Sequence, residues 1–275
     1  MVHRCGALPV KEGEIYYEVM GTGPGLIFVH GLGGSHLSWW QQIPFFSQRY
    51  SCVTFSQRGF GSSTTSMNTI ETSVFADDLA ALIDHLGMND VRLVAQSMGG
   101  WTCLEYALRQ RSNVRALVMA STTGAIDFQW IDHPDIKTLP AWTARSKDVG
   151  DALDQGGVLR STGARMVEEN PALYYLYCQI FDQTPARYRE AVRKRIREQR
   201  IVSPESLSAL TMPVFFITGA EDVIFPPAAA SAVASLLPSS RVSCVPETGH
   251  SVYFERAQVF NSILDEFLRS SGGPL

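Results

Sequence analysis

The sequence predicts an α/β fold with a mostly parallel central sheet flanked by helices. Short apolar runs of strand length recur along the chain, and segments with apolar residues at helical spacing follow several of them. This alternation is typical of βαβ units around a parallel sheet. It stops once, between about residues 123 and 208, where aromatic residues, helix formers and prolines dominate. We expect that segment to be a separate helical layer.

The predicted strands and helices follow from these runs in chain order. The apolar runs that read as strands are residues 26–29, 51–55, 91–95, 116–120, 214–218 and 241–245. Helical spacing predicts a helix from Phe75 to Leu86 with Gly87 as its C-terminal cap, and a second from Trp101 to Arg109. A closing helix has one apolar face, formed by Phe260, Ile263, Leu264, Phe267 and Leu268.

The composition argues against several classes of protein. The net charge of −4 over 275 residues disfavours a nucleic-acid-binding protein, which is usually basic. The five cysteines are scattered, without a close pair for a metal or redox motif. No apolar run is long enough for a signal peptide or a membrane span. We therefore expect a cytoplasmic protein without membrane or nucleic-acid partners, present as a monomer or homodimer.

Ser97 is the candidate nucleophile. It lies in Ala95-Gln96-Ser97-Met98-Gly99, between a predicted strand and a predicted helix. A sharp turn of this kind lifts the serine hydroxyl above the sheet edge and needs small residues two positions before and after it. The alternative is a serine that only caps the following helix.

A serine nucleophile needs a base and an acid, and both candidates follow predicted strands. His250 comes shortly after the last strand, whereas His3, His36, His85 and His133 do not directly follow a strand. Asp222 follows the strand 214–218, and a carboxylate there can hold the imidazole in one tautomer. Glu221 and Asp127 are the competing acids, and a loop carboxylate that caps the next helix is the alternative for Asp222.

Backbone N–H groups are the expected donors to the oxyanion. Met98, directly after the nucleophile, supplies one. Leu32, in the glycine-rich loop after the first predicted strand, supplies the second. That loop lacks the G-K-[ST] and G-x-G-x-x-G patterns of nucleotide-binding loops. His30 is expected to be a structural hydrogen-bonding residue of the same loop.

Taken together, these motifs resemble the capped α/β-hydrolase superfamily over nearly the whole chain. The matching segments are His30-Gly31, residues 58–63, the turn around Ser97, residues 219–222 and Gly249-His250. Members often have aspartate two residues before the arginine of the second segment, where this chain has Ser56. The resemblance implies acyl transfer to water without cofactor or metal. It also implies a core of residues 1–124 and 210–275 with a helical cap at residues 125–209.

The cap is expected to set the substrate. Five of its aromatic residues are candidates for the pocket wall: Trp130, Trp142, Tyr174, Tyr177 and Phe181. Residues 185–200 predict an amphipathic helix with Tyr188, Val192 and Ile196 on its apolar stripe and many arginines outside it. The arginines either face solvent or include one that reaches the pocket and binds an acidic substrate.

The expected reaction is hydrolysis of an ester or lactone of a small hydrophobic or ring-bearing substrate through an acyl-serine. Other chemistries on this scaffold stay open because a fold does not determine a reaction. They are carbon–carbon bond hydrolysis of ring-fission diketones, cofactor-free oxygenase or haloperoxidase activity, and a small-molecule receptor with a vestigial triad. Carbon–carbon bond hydrolases typically have tryptophan after the catalytic histidine, where this chain has Ser251.

Overall fold

One sheet organises the residues that the computed structural model describes, which are 3–66, 71–199 and 202–274. Its order is β1-β2-β4-β3-β6-β7-β8-β9, and β5 pairs with β2. β1, β2 and β5 are antiparallel to their neighbours, and all pairs from β4 to β9 are parallel. The strands are β1 His3–Val10, β2 Gly13–Met20, β3 Gly25–Val29, β4 Ser51–Phe55, β5 Thr64–Thr65, β6 Val91–Gln96, β7 Val114–Ala120, β8 Val214–Gly219 and β9 Ser240–Val245.

Helices cover both faces of this sheet. In chain order they are α1 Ile43–Phe46, α2 Ser73–His85, α3 Gly99–Arg109, α4 Leu139–Gln155, α5 Ala164–Glu169, α6 Pro171–Phe181, α7 Ala186–Glu198, α8 Pro227–Ala234, α9 Val252–Glu255 and α10 Ala257–Ser270. Short 3-10 helices occupy His36–Trp39, Arg111–Asn113, Phe128–Trp130, Pro134–Thr138 and Pro204–Ala209. None of the helices in the described ranges has the length and apolarity to cross a membrane.

The alternation of side chains along the buried strands divides the core between the two faces. In β3, Ile27 and Val29 belong to one cluster, which includes side chains of α2, α3 and α8. Leu26 and Phe28 point the other way and join a cluster with side chains of α1, α9 and α10. Strands buried on both faces read as continuous apolar runs, which is why these strands were predictable from the sequence.

The six predicted strands correspond to β3, β4 and β6–β9, with ends that differ by at most two residues. Gly87 has φ +64°, and its N–H bonds to Asp84 O, as expected for a residue that ends a helix. The hairpin of β1 and β2 was not predicted. Its turn at Glu12 has φ +62°, and only Ile15 and Val19 of β2 are fully buried.

The segment between β7 and β8 is helical, as the sequence indicated. α4, α5, α6 and α7 lie there, and one parallel bridge joins Ile126 to Val202. The chain leaves the sheet after Ala120 and returns at Val214. The division at residues 124/125 and 209/210 stays a prediction. Arg200, the last residue of the predicted basic helix, and Met1 of the predicted core lie outside the described residues.

A buried ion pair ties the loop after β4 to α2. Arg58 Nε donates to Asp78 Oδ2 at 2.9 Å, its Nη2 donates to Asp78 Oδ1 at 2.5 Å, and each side chain is 4% exposed. Burial raises the pKa of Asp78 even though Arg58 opposes the shift. The Arg58 carbonyl also accepts a hydrogen bond from Tyr188 of α7 at 2.8 Å. The pair therefore positions a loop that contacts the helical segment.

Asp78→Ala should lower the free energy of unfolding by about 3–5 kcal/mol, because it leaves the Arg58 charge buried without its partner. Asp77→Ala is the matched control. Asp77 is the preceding residue, is 64% exposed and pairs with Arg109 at 2.6 Å, so its loss should cost less than about 1 kcal/mol. Urea denaturation measures both values. Equal small losses would show that the buried pair does not stabilise the fold.

Candidate active site

The turn at Ser97 brings a strained serine to the middle of the sheet edge. Ser97 follows β6, has φ +50°, and its N–H bonds to Ala120 O at 2.9 Å. A positive φ is uncommon for a residue with a side chain and marks a backbone held by its surroundings. A Cβ at Gly99 would lie 2.4 Å from Val29 O, so only glycine lets α3 start this close to β3. Ala95 is fully buried at the position two residues before Ser97.

His250 and Asp222 meet at the same edge. The His250 Nδ1–H donates to Asp222 Oδ2 at 2.8 Å, and both side chains are buried. Asp222 Oδ1 accepts from the N–H groups of Ile224 at 2.8 Å and Phe225 at 2.9 Å. With three donors, this carboxylate is fixed in orientation, and it in turn fixes the imidazole with Nε2 free of this bond.

The competing acids point elsewhere. Glu221 is 40% exposed and accepts two hydrogen bonds from Arg165 at 3.0 and 3.1 Å. Asp127 accepts from the Trp130 indole at 3.0 Å and from the Gln129 N–H, so it caps the 3-10 helix at Phe128–Trp130. Neither side chain contacts His250 through a hydrogen bond in the described residues.

Ser97 and His250 line one cavity of about 820 Å³ under the helical segment. All six histidines belong to the described part of the chain, and His250 alone lines this cavity. Leu32 and Met98 line it too. The lining also includes Gln96, Trp101, Ser121 and Thr122 from the sheet edge, Gly157–Ser161, Tyr177, Phe181 and Ile196 from the helical segment, and Val223–Phe225 after β8.

Of the five aromatic residues predicted at the pocket, Tyr177 and Phe181 line the cavity. Trp130 does not, because it is 82% exposed and is held outside by Asp127. Trp142 donates instead to the carbonyl of Asp222 at 3.0 Å. The Tyr174 hydroxyl is hydrogen bonded to the backbone behind the cavity wall, at Leu159 N and Gly157 O. For these three residues the pocket prediction is corrected.

The loop between β3 and Trp39 is held by His30. Burial lowers the pKa of His30 to about 4, so the ring is neutral at pH 7. Its Nδ1–H donates to Gly31 O at 2.7 Å, and its Nε2 accepts the Gln57 N–H at 2.8 Å. Ser56, where related proteins often have aspartate, bonds through its Oγ to His36 Nδ1 at 3.0 Å. His30 is therefore a structural residue of this loop.

A buried carboxylate that sequence reasoning missed holds the loop of His250. Glu255 accepts the N–H groups of Gly249 at 2.8 Å and Ser251 at 2.9 Å, one on each side of His250. Burial raises the pKa of Glu255, while these bonds oppose the shift. A Cβ at Gly163 would lie 2.6 Å from Glu255 Oε2, so the helical segment is packed against the same carboxylate. Its signal in the sequence is weak, an acid five residues after the histidine.

The same loop is tied to α6. The Ser251 hydroxyl donates to Ser161 O at 2.6 Å and lies 3.0 Å from the Tyr177 hydroxyl. Phe181 lies over the glycine-rich loop, where a Cβ at Gly33 would be 2.3 Å from its ring. These contacts set the position of the helical segment relative to Ser97 and His250.

Comparison with known proteins identifies the family. Residues 24–257 match the model of the alpha/beta hydrolase fold. The chain belongs to the α/β-hydrolase family. It is 24% identical to the 3-oxoadipate enol-lactonase 2 of Acinetobacter baylyi, over 97% of each chain.

Solved structures agree on the fold of this α/β hydrolase. An esterase from Thermogutta terrifontis superposes with a TM-score of 0.76 at 22% identity, over 98% of this chain and 99% of that one. A bromoperoxidase from Bacillus anthracis gives a TM-score of 0.78 at 22% identity, over 98% and 100%. At this level of identity the likeness establishes the fold and not the reaction.

Proposed function

We propose that this α/β hydrolase cleaves an ester or lactone through an acyl-serine intermediate, with Ser97 as nucleophile, His250 as base and Asp222 as the orienting acid. The observation that carries the proposal is the 2.8 Å hydrogen bond between His250 and Asp222, with His250 and Ser97 on the wall of one cavity. A serine hydroxyl becomes nucleophilic when a neighbouring imidazole takes its proton, and the acid stabilises the imidazolium that forms.

The reaction runs in two half-steps. Ser97 Oγ attacks the carbonyl carbon, His250 takes the serine proton, and the carbonyl oxygen becomes an oxyanion. His250 then returns the proton to the leaving alcohol as the carbon–oxygen bond breaks. Water, deprotonated by His250, then attacks the acyl carbon, and His250 returns the proton to Ser97 Oγ as the bond between the acyl carbon and Oγ breaks and the acid leaves. A lactone follows the same steps, with the leaving hydroxyl still attached to the acyl group.

The backbone N–H groups of Leu32 and Met98 are the proposed oxyanion donors. Both residues line the cavity beside Ser97, and no acceptor for either N–H is found within the described residues. A buried N–H normally has a partner. The unpaired N–H of the buried Met98, with that of the half-buried Leu32 on the same cavity, supports a role in binding a developing negative charge. Removing one such donor in a comparable site costs on the order of 10²–10³ in kcat.

The cavity walls favour a substrate with a hydrophobic or ring-bearing part. Trp101, Phe181, Ile196 and Phe225 are among the apolar side chains of the lining. Ser121 is also a lining residue, and its Oγ is buried in the wall without a hydrogen-bond partner in the described residues.

Names of similar proteins agree with ester or lactone chemistry in a general way, since they include an esterase and an enol-lactonase. A substrate panel of short esters, lactones and ring-fission dienoates separates ester or lactone hydrolysis from two of the alternatives, carbon–carbon bond hydrolysis and a receptor. Turnover of the dienoates alone would favour carbon–carbon bond hydrolysis. Binding without turnover of any panel member would favour a receptor.

Ser97→Ala should abolish turnover while the fold is retained, because it removes the hydroxyl that attacks the carbonyl carbon. The expected loss is on the order of 10⁴-fold or more in kcat. A fluorophosphonate should label wild type at Ser97 and leave the variant unlabelled, as mapped by mass spectrometry of the peptides. Labelling at another residue would contradict the assignment of the nucleophile.

Asp222→Asn should lower kcat by about 10⁴-fold, because an amide in this position favours the wrong imidazole tautomer. Glu221→Gln is the control. It removes the adjacent charge, which is paired with Arg165 on the surface, and should change kcat by less than about twofold. Steady-state rates on the best panel ester test both variants. Comparable losses in the two would mean that Asp222 does not orient His250.

A further inference from the structure

One wall of the cavity carries arginines from α7. The buried stripe of α7, formed by Tyr188, Val192 and Ile196, packs with Phe60, Phe75, Met98 and Leu32. Arg193 and Arg197 each follow a residue of this stripe, and both line the cavity together with Ile196. Positions 193, 196 and 197 are neighbours on one helical face. The helix that packs on Met98 therefore places two arginines, the half-buried Arg193 and the exposed Arg197, on the wall of the cavity that Ser97 also lines.

The other charged residues at the cavity have no net charge. Arg160 and Asp154 line the cavity, and Arg160 donates to Asp154 at 2.7 Å and to Asp151 at 2.9 Å. Asp151 also pairs with Lys147 at 2.8 Å. Two cations and two carboxylates thus balance one another there.

The two arginines that line the cavity differ in their surroundings. The two acids of α7 are engaged elsewhere, since Glu190 pairs with Arg193 at 2.5 Å and Glu198 with Arg195 at 3.3 Å. No carboxylate within the described ranges pairs with Arg197, and the remaining residues (1, 2, 67–70, 200, 201 and 275) include no aspartate or glutamate. The cavity wall therefore has about one net positive charge.

We propose that Arg193 and Arg197 bind a carboxylate of the substrate, so that the enzyme prefers esters or lactones with a free carboxylate remote from the scissile carbonyl. This inference rests on the proposed function. A guanidinium group matches a carboxylate with two parallel hydrogen bonds. Arg193 is free to turn to the substrate because its bond to Glu190 is an exposed ion pair, and exposed pairs contribute little. One unbalanced charge suits a monoanion.

The neighbouring arginine shows why these two are the binding candidates. Arg189, one turn before Arg193, stacks over the Phe181 ring at 3.9 Å and donates to the carbonyls of Phe181 and Thr184. Its Nη1 donates to backbone carbonyls of the helical segment, and Arg189 is not among the residues that line the cavity. Arg187 and Lys194 are exposed on other faces of α7 and do not line the cavity.

The test uses the p-nitrophenyl hemiesters of succinic, glutaric and adipic acids, which keep one free carboxylate. Each is compared with the same p-nitrophenyl ester in which that carboxylate is methylated. Wild type should have the higher kcat/KM on the best hemiester, through a lower KM, and salt should reduce this preference. Arg197→Gln should lower the hemiester-to-methyl-ester ratio by about tenfold, which corresponds to the loss of one charged hydrogen-bonding partner. Arg193→Gln should lower it in the same direction.

Arg187→Gln and Lys194→Gln are the matched controls, since they remove the same charge from the same helix and should leave the ratio within about twofold. The methyl ester reports separately on the proposed function. If it is hydrolysed normally and Arg197→Gln leaves the ratio unchanged, the inference about the carboxylate fails and the esterase proposal stands. If wild type hydrolyses neither ester and none of the esters and lactones of the substrate panel, the proposed function fails, and this inference fails with it.

Discussion

The close approach of α3 to the end of β3 is the constraint on which the rest of the site depends. Gly99 allows it, because any side chain there would collide with the carbonyl of Val29. The chain must therefore turn within a residue of β6, and it does so by holding Ser97 at φ +50°. Since β3 and β6 are neighbours in the sheet, the same contact brings Leu32 and Met98 to one cavity with Ser97. This one packing constraint therefore fixes the positions of the proposed nucleophile and of both proposed oxyanion donors.

The proposed base and acid are held in place by hydrogen bonds within their loops. Their loops follow β8 and β9, which are paired in parallel up to Gly219 and Val245. Beyond these residues two more backbone hydrogen bonds join the loops, from Ala220 N–H to Val245 O and from Glu221 N–H to Thr248 O, each at 2.9 Å. Buried carboxylates hold the backbone after that point. Asp222 accepts hydrogen bonds from the N–H groups of Ile224 and Phe225, and Glu255 accepts from the N–H groups on each side of His250. Fixed carboxylates of this kind preorganise a site, so that little rearrangement is needed during reaction.

The sequence predicted the parts of the molecule that local pattern determines. Buried parallel strands are continuous apolar runs, and residues that follow such strands share one edge of the sheet, so Ser97, Asp222 and His250 could be chosen together. The β1–β2 hairpin was missed even though Ile15, Tyr17 and Val19 alternate with Glu14 and Glu18. One face of that hairpin is largely exposed to solvent, so its two strands contain few apolar residues that would mark them as buried strands.

It was hardest to predict which aromatic residues of the helical segment line the cavity. The face that a short helix turns toward the cavity depends on how the helix packs on the rest of the molecule. Tyr174 and Tyr177 are one turn apart on α6, yet one hydroxyl binds the backbone behind the wall and the other reaches Ser251. Glu255 was missed for a related reason. Nothing in the local sequence distinguishes an acid that is buried against loop N–H groups from one that is exposed on a helix.

We propose that the backbone N–H groups of Leu32 and Met98 receive the negative charge that forms when Ser97 attacks. The most direct measurement is a crystal structure of the protein after reaction with a small phosphonate, whose oxygen mimics the oxyanion. We expect a bond from Ser97 Oγ to phosphorus. We also expect a phosphonyl oxygen about 2.7–3.1 Å from the backbone nitrogens of both Leu32 and Met98. A phosphonyl oxygen turned away from these donors, or an adduct on another residue, would contradict it.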